Sequence, residues 1–456
     1  MLTKRLLRVT LQSGRVLLAT SAKSFVTIQG DELVPTEGSK LKVGDLVPIA
    51  INNPHTIKTS IDLRKHLSPD SFTYASNVQK MLDAGAMNSA ALFKSMKDDG
   101  CVLPMTHETF YNKFNVETAR GRKTLAKLAA DAVYTNNISL TEYEIPEIMM
   151  LDFDFGWLCG IYVAEGSMCG QLSTFQIAAS HLDLQQNIIR IVNQWKIKCK
   201  VYGPQQGTSV HCCCRVLSAL LLALFNKGAK DKRIHPDLFA APTSWIAGFL
   251  SGYIDGDGCV SGNRIICASA SQGLLRDVQH LATRFGITAT FGQQGPKQTT
   301  MKDGSVIRTS TTHRLVWGVR AATRLRDVLS LVREHKKLAL INITDHNAHL
   351  AGEVVVLNDV IADKIKEIEV IAWQEKVYDL TVDGFKTFNG LDGWVIYDTY
   401  SIPSSNSITL CILNLNDAAS TCRAPATRLS ARVFPAYKAW SISQNKRSRI
   451  PVLRCC

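Results

Sequence analysis

Apolar and polar positions along this chain follow one order of elements and then follow it again. In the first run, Ser173 to Ala179 alternates as a strand does, and Leu182 to Trp195 sets apolar residues at helical spacing. Cys199 to Arg215 reads as a hairpin turning at Gln205, Gln206 and Gly207, and Val216 to Asn226 as another helix. In the second run, Arg264 to Ala270 is the strand and Gln272 to Phe285 the helix. Thr288 to Arg320 is a longer hairpin with Lys302, Asp303 and Gly304 at its tip, and Thr323 to Val332 closes the run as a helix.

A short phrase heads each run. Leu158 to Gly166 reads LCGIYVAEG, and Leu250 to Gly258 reads LSGYIDGDG. Each has Gly at its third place, an acid at its eighth and Gly at its ninth. The acids, Glu165 and Asp257, are 92 positions apart. A repeat of this kind predicts two similar α/β halves related by a pseudo-twofold axis. Glycine has no Cβ, so two such helices can pack closely and bring both carboxylates to one end. Paired carboxylates make a hard-oxygen site for Mg²⁺, a metal suited to phosphodiester hydrolysis. Duplex DNA has approximate twofold symmetry too, so one sheet per half could lie along each half of a long site. A single phrase would fit a core helix ending in a solvated acid. Two phrases, each heading a similar run, favour the shared site.

Composition narrows the class. The 456 residues suffice for about two or three domains. With 46% hydrophobic and 20% charged residues, most of the chain can bury a core. No apolar run of about 18 residues is visible, so no membrane partner is expected. The net charge of +13 suits a polyanion, yet residues 399–456 supply +7 of it and residues 1–398 only +6, so total charge says little about DNA. The 13 cysteines show no metal spacing, and reduced thiols in an intracellular compartment, cytoplasmic or nuclear, are expected. The first residues are Arg-rich and acid-poor, as transit peptides are, but they also fit the strand pattern described next.

Strand-rich, Gly/Asp-turned stretches flank the repeat. Before it come SGRVLLATSAKSFVTI (from Ser13) and LKVGDLVPI (from Leu41). After it comes KVYDLTVDGFKTFNGLDGWVIYDT (from Lys376). Both sides fit one small all-β domain interrupted by a long insertion. Residues 57–146 mix helical patterns, such as Ser76 to Ala86 and Ala90 to Lys97, with a basic stretch. Arg120, Arg122, Lys123 and Lys127 of that stretch could track DNA phosphates or form a solvated helix face. From Tyr400 onward periodicity fades and Ser and Thr are frequent.

On these residues the chain resembles a two-motif LAGLIDADG homing endonuclease, from about Asp152 to Ile343. The flanks resemble the halves of the intein splicing fold, the Hint module. The resemblance implies an α+β chain: an all-β Hint-type domain split by an endonuclease of two αββαββα halves. The expected divisions are 1–56 and 352–398 for the Hint halves, 57–146 for a linker or DNA-recognition region, 147–345 for the nuclease, and 399–456 for an extein or disordered tail. It further implies that Glu165 and Asp257 bind Mg²⁺ and that a basic residue in each half assists catalysis. KDKRIHP suggests Lys232, and HKKLALI offers Lys336 or Lys337. The expected partner is double-stranded DNA and the expected state a monomer. For splicing, Thr20 and Lys23 occupy the family's Thr-x-x-His positions, and Asp379 the coupling aspartate. Asp398 stands for the terminal Asn, Tyr397 for the penultimate His, and Thr399 for the first extein nucleophile. Lysine in place of histidine offers donors only. The family's leading residue is a Cys or Ser preceded by extein; no Cys stands ahead of Thr20, and Ser13, which sits in a turn, is the hydroxyl close by apart from Thr3 and Thr10, so splicing is expected to be impaired. Cleavage at Asp398–Thr399 stays open. The alternative function is a catalytically inactive DNA-binding or RNA-maturase protein of the same fold.

Overall fold

The computed structural model describes residues 4–21, 24–51, 56–67, 73–74, 94, 134–136, 145–146, 148–169, 174–203, 207–300, 306–309, 311–344, 356–357, 360–373, 387–389 and 393–397. Lys23, Arg120, Arg122, Lys123, Lys127, Asp379, Asp398 and Thr399 lie outside the described residues, as does the segment from Tyr400 onward. So do the two helical patterns expected in 76–97, but for position 94.

The centre of the molecule is a helix pair. Helix α1 (Phe153–Glu165) begins where the Asp152 carboxylate accepts the Phe155 N–H at 2.8 Å. It continues through α2 (Leu182–Asn193) and α3 (Arg215–Phe225), with four strands between. Helix α4 (Thr243–Asp257) opens the second half, followed by α5 (Gln272–Thr283), α6 (Val319–Arg326) and α7 (Glu334–Ile341). The strands of each half form a four-stranded antiparallel sheet. The first runs Gly166–Cys169, Thr174–Ala178, Ser209–Cys212, Cys199–Tyr202 across its width. The second runs Gly258–Ser261, Arg264–Ser269, Thr312–Trp317, Thr290–Gln294, the same order again.

Both motif helices are apolar nearly all round, because each is buried on several sides. Their shared face is bare of side chains. A Cβ on Gly156 would overlap the carbonyl oxygen of Trp245, and one on Gly160 that of Phe249. Reciprocally, a Cβ on Gly248 would overlap the carbonyl oxygen of Phe153, and one on Gly252 that of Trp157. The backbones therefore touch directly, and only glycine permits it.

The structure departs from the sequence reading in three respects. The strands Gly166–Cys169 and Gly258–Ser261 were not visible in the pattern, since four residues are too few to show alternation. The long second hairpin contains a separate two-stranded ladder, Lys297–Thr300 with Val306–Thr309. The helix expected at Thr323 to Val332 instead ends at Arg326. Beyond it, the Ser330 N–H donates to Ser251 Oγ at 2.9 Å, and the Val332 N–H donates to the Asp255 carboxylate at 2.9 Å. Side chains of α4 thus take the amides that a continuing helix would have used.

Strands from both ends of the chain form one nine-stranded sheet. Lys4–Leu11 lies between Val16–Thr20 and the long strand Val360–Trp373, which also pairs with Leu46–Ala50. Phe25 of Ser24–Gln29 stands opposite Ile396 of Val395–Tyr397. Val9, Leu17, Phe25 and Ile49 from the N-terminal side share a core with Ile361, Ile365, Trp394 and Ile396 from the C-terminal side. Residues bordering the 57–146 segment behave differently: Ile61, Leu63, Leu67 and Ile145 join the core of the helix pair. The sheet meets the second half at Ser13, whose carbonyl accepts the Phe291 N–H at 2.9 Å and Gln279 Nε2 at 3.0 Å.

The bare helix face yields a test. Gly160→Ala should lower stability by about 2–3 kcal/mol in urea unfolding, because the methyl must push against a carbonyl. Gly295→Ala, where no atom lies within 4 Å of the added methyl, should change it by less than about 0.5 kcal/mol. Equal effects would count against close backbone contact.

Candidate active site

Glu165 and Asp257 are the last residues of α1 and α4, so both sit at the same end of the helix pair. Gly256 shows how near the ends are: a Cβ there would overlap the Ala164 methyl and meet Glu165 Cγ at 3.1 Å. The C-terminus of a helix carries partial negative charge, so two such ends and two carboxylates concentrate one sign of field. Asp257 responds accordingly. Burial first, and then the neighbouring Glu165, push its carboxyl up to about 7, while Lys232 and Lys336 pull the other way.

The lysines are arranged as a symmetric pair. Lys232 Nζ donates to the carbonyls of Tyr162, Val163 and Gly166 at 3.2, 2.7 and 3.0 Å. Lys336 Nζ donates to those of Ile254, Asp255 and Gly256 at 2.8, 2.7 and 3.0 Å. Each ammonium thus spends three N–H donors on the end of one motif helix and neutralises its partial charge. Burial lowers both lysines to about 8, with the nearby acids opposing the shift. Lys337, the other candidate on α7, is exposed.

One participant was not singled out from the sequence. Asp255, two residues before Asp257, is fully buried. Its carboxylate accepts Trp157 Nε1 at 2.9 Å from α1 and the backbone N–H groups of Val332 and Arg333 at 2.9 and 3.1 Å. Those amides lead into α7, so Asp255 aligns the helix that carries Lys336. The signal was present in the DGD of the second motif. It was hidden because the first copy has Val163 at the matching place.

A cavity of about 260 Å³ opens beside Asp257, lined by Lys232, Ser269, Thr312 and the ends of the motif helices. Ser269 and Thr312 bring the second sheet to it, and each sheet also carries polar side chains. Gln176, His211 and Lys200 are register partners on one. Arg264 and Arg314 are exposed on the other. The acid pair fits a divalent cation on its own evidence. Two adjacent carboxylates at two negative helix ends, one of them forced well above the usual carboxylate range, form an arrangement that a hard cation relieves. Of the splicing positions, Thr20 ends the strand paired with Lys4–Leu11, and Tyr397 pairs with Thr387. Ser13, in the turn before Val16–Thr20, is buried at the contact with the second half.

Residues 244–329 match the family model of the LAGLIDADG-like domain. The chain is 24% identical over 490 residues to the DNA-directed RNA polymerase subunit Rpo1C of Methanocaldococcus jannaschii, covering 93% of this chain and 50% of that protein. It is 23% identical over 316 residues to a DNA polymerase of Thermococcus sp., covering 64% of this chain and 17% of that protein. The chain therefore spans half or less of the length of these relatives. Among solved structures, that of I-DmoI in complex with DNA and Ca is similar at 13% identity and a TM-score of 0.31, covering 41% of this chain and 97% of that one. Among the described residues, no helix is long and apolar enough to cross a membrane.

The raised carboxyl makes a signed prediction. Unfolded, Asp257 ionises near 3.8, and folded near 7. Its contribution to stability is therefore full below about 3.8 and is lost as the pH rises through 7. Without divalent metal, Asp257→Asn should be more stable than the parent at pH 8 by at least about 1 kcal/mol, or roughly 2–4 °C in Tm. The gap should close toward pH 4. A variant less stable at pH 8 than the parent would overturn the electrostatic reading.

Proposed function

We propose that this chain is a LAGLIDADG homing endonuclease carried within a protein-splicing frame, and that it cuts both strands of a duplex DNA site by metal-dependent hydrolysis. The observation that carries the reading is the acid pair at one end of two glycine-packed helices, with an antiparallel sheet in each half. Glu165 and Asp257 would hold divalent cations of the Mg²⁺ class. Such a cation supplies Lewis acidity at the phosphodiester and lowers the pKa of a bound water. The protein's own groups do the rest. Lys232 and Lys336 fix the two helix ends and keep positive charge beside the acids, where the scissile phosphates would lie. Their donors are occupied by carbonyls, so their part is positional and electrostatic rather than direct proton transfer. Gln176, Lys200 and His211 on one sheet, and Arg264 and Arg314 on the other, would meet base edges and phosphates.

The frame belongs to the same proposal. Segments from both chain ends build one sheet with one core, as expected of an all-β domain opened by an insertion. Two of the curated relatives differ from each other in their names, an RNA polymerase subunit and a DNA polymerase, and the chain matches only part of each. A self-contained insertion in different host proteins would give that pattern. We assign 1–56 and 352–398 to the two Hint halves, 57–146 to a linker or DNA-recognition region, 147–345 to the nuclease, and 399–456 to a tail. Within the frame, Thr20, Lys23, Asp379, Tyr397, Asp398 and Thr399 would be the splicing positions, and Arg120, Arg122, Lys123 and Lys127 a further DNA contact.

Selection of linearised products from a randomised duplex library with Mg²⁺ tests the nuclease. The parent should enrich one long site. Glu165→Gln and Asp257→Asn should lower cleavage of that site by about a thousandfold or more while binding it in Ca²⁺ within about threefold of the parent. Binding without cleavage by the parent would favour the inactive DNA-binding reading. Because Asp257 must be ionised to hold the cation, apparent Mg²⁺ affinity should fall by up to about tenfold per pH unit below 7. Mass spectrometry tests the frame. A fragment starting at Thr399 after long incubation is the expected product, and intact chain at every pH would remove C-terminal cleavage from the account.

A further inference from the structure

We propose that His66, His235 and Asp237, away from the acid pair, form a binding site for a transition-metal cation of the zinc class. The sequence shows no zinc spacing, since His66 and Asp237 are 171 positions apart. The fold nevertheless brings one ligand atom from each residue within 4.8 Å of the others. His66 Nε2 stands 3.5 Å from Asp237 Oδ2. That is long for a charge-assisted hydrogen bond. It matches the separation of about 3.4 Å between two ligands held about 2.1 Å from a tetrahedral metal. The imidazoles of His66 and His235 meet edge to face with centroids 4.8 Å apart.

The backbone holds these side chains before any metal arrives. His66 lies between Leu63 and Leu67, both buried. His235 and Asp237 flank Pro236 at the start of the short turn Pro236–Ala240, anchored by buried Leu238. The two segments are joined by the Lys58 N–H donating to the Ala240 carbonyl at 2.9 Å. His235 Nδ1 accepts the Asp237 N–H at 3.2 Å, and its single lone pair must be released from that amide for the nitrogen to take a metal. A set of two imidazoles and one carboxylate suits zinc, with water as the remaining ligand. Lys58 Nζ lies on Asp237 Oδ1, the other oxygen, and competes with a cation for the carboxylate. Bound metal would brace the connector three residues after Lys232 and so steady a group at the acid pair.

Zinc titration of the metal-free full chain by calorimetry tests this, in a Glu165→Gln, Asp257→Asn background that removes the other carboxylate pair. One equivalent should bind, and His66→Gln and Asp237→Asn should each weaken it at least about tenfold. Lys58→Gln should tighten it by about fivefold. A purely structural Lys58–Asp237–His66 ion-pair network predicts no such gain. Zinc should raise Tm in the Glu165→Gln, Asp257→Asn background and not once His66→Gln is added. Unchanged affinity in both ligand variants overturns the proposal, as does binding that disappears on thiol alkylation. Far-UV circular dichroism of each variant separates a lost site from a lost fold. Failure here would leave the nuclease reading intact, since cleavage is measured with Glu165 and Asp257 in place.

Discussion

Contact between glycine faces and carbonyl oxygens is the constraint on which this molecule turns. Gly156 and Gly160 on one helix, and Gly248 and Gly252 on the other, let two backbones meet with no side chain between them. At a wider spacing the acids at the helix ends would separate, and the sheets would tilt away from a common axis. The same contact explains why both helices are apolar nearly all round. They are the middle layer of the structure, with further elements packed on their remaining sides.

Close packing creates an electrostatic problem and the lysines answer part of it. Four negative centres, two carboxylates and two helix ends, converge in a partly buried place. Lys232 and Lys336 each cover one helix end through three hydrogen bonds. They offset the charge of the carboxylates only in part, and Asp257 remains raised to about 7 by burial and by Glu165. An arrangement that holds a carboxyl so far above its ordinary range has little value to stability alone, which is why it reads as a site. Asp255 is the opposite case. It is buried more deeply but satisfied by an indole and two amides, and it serves alignment.

Much of this was legible because the chain repeats itself. The phrases at Leu158 and Leu250, each leading the same succession of periodicities, carried the pseudo-twofold arrangement and the meeting of Glu165 with Asp257. Burial also chose between Lys336 and Lys337, which adjacent positions in a sequence could not do. Other features were out of reach. The four-residue strands after each motif are too short to show a rhythm. The apolar spacing from Thr323 to Val332 mimics a helix, while side chains of Ser251 and Asp255 take up the amides there. The approach of His66 to Asp237 depends on tertiary folding across 171 positions and leaves no local mark.

The bond from Trp157 to Asp255 sets which halves can be mates. Its pseudo-symmetric counterpart pairs Phe249 with Val163, an apolar couple in place of a polar one. Two copies of the first half, joined back to back, would bury two indole N–H groups against valine. Two copies of the second would bury two carboxylates against phenylalanine, a severe desolvation penalty with no donor from the partner helix. Each half is thus complementary to the other and mismatched to itself. Duplication supplied a symmetric body, but this one crossed pair commits it to union within a single polypeptide and discourages exchange between molecules.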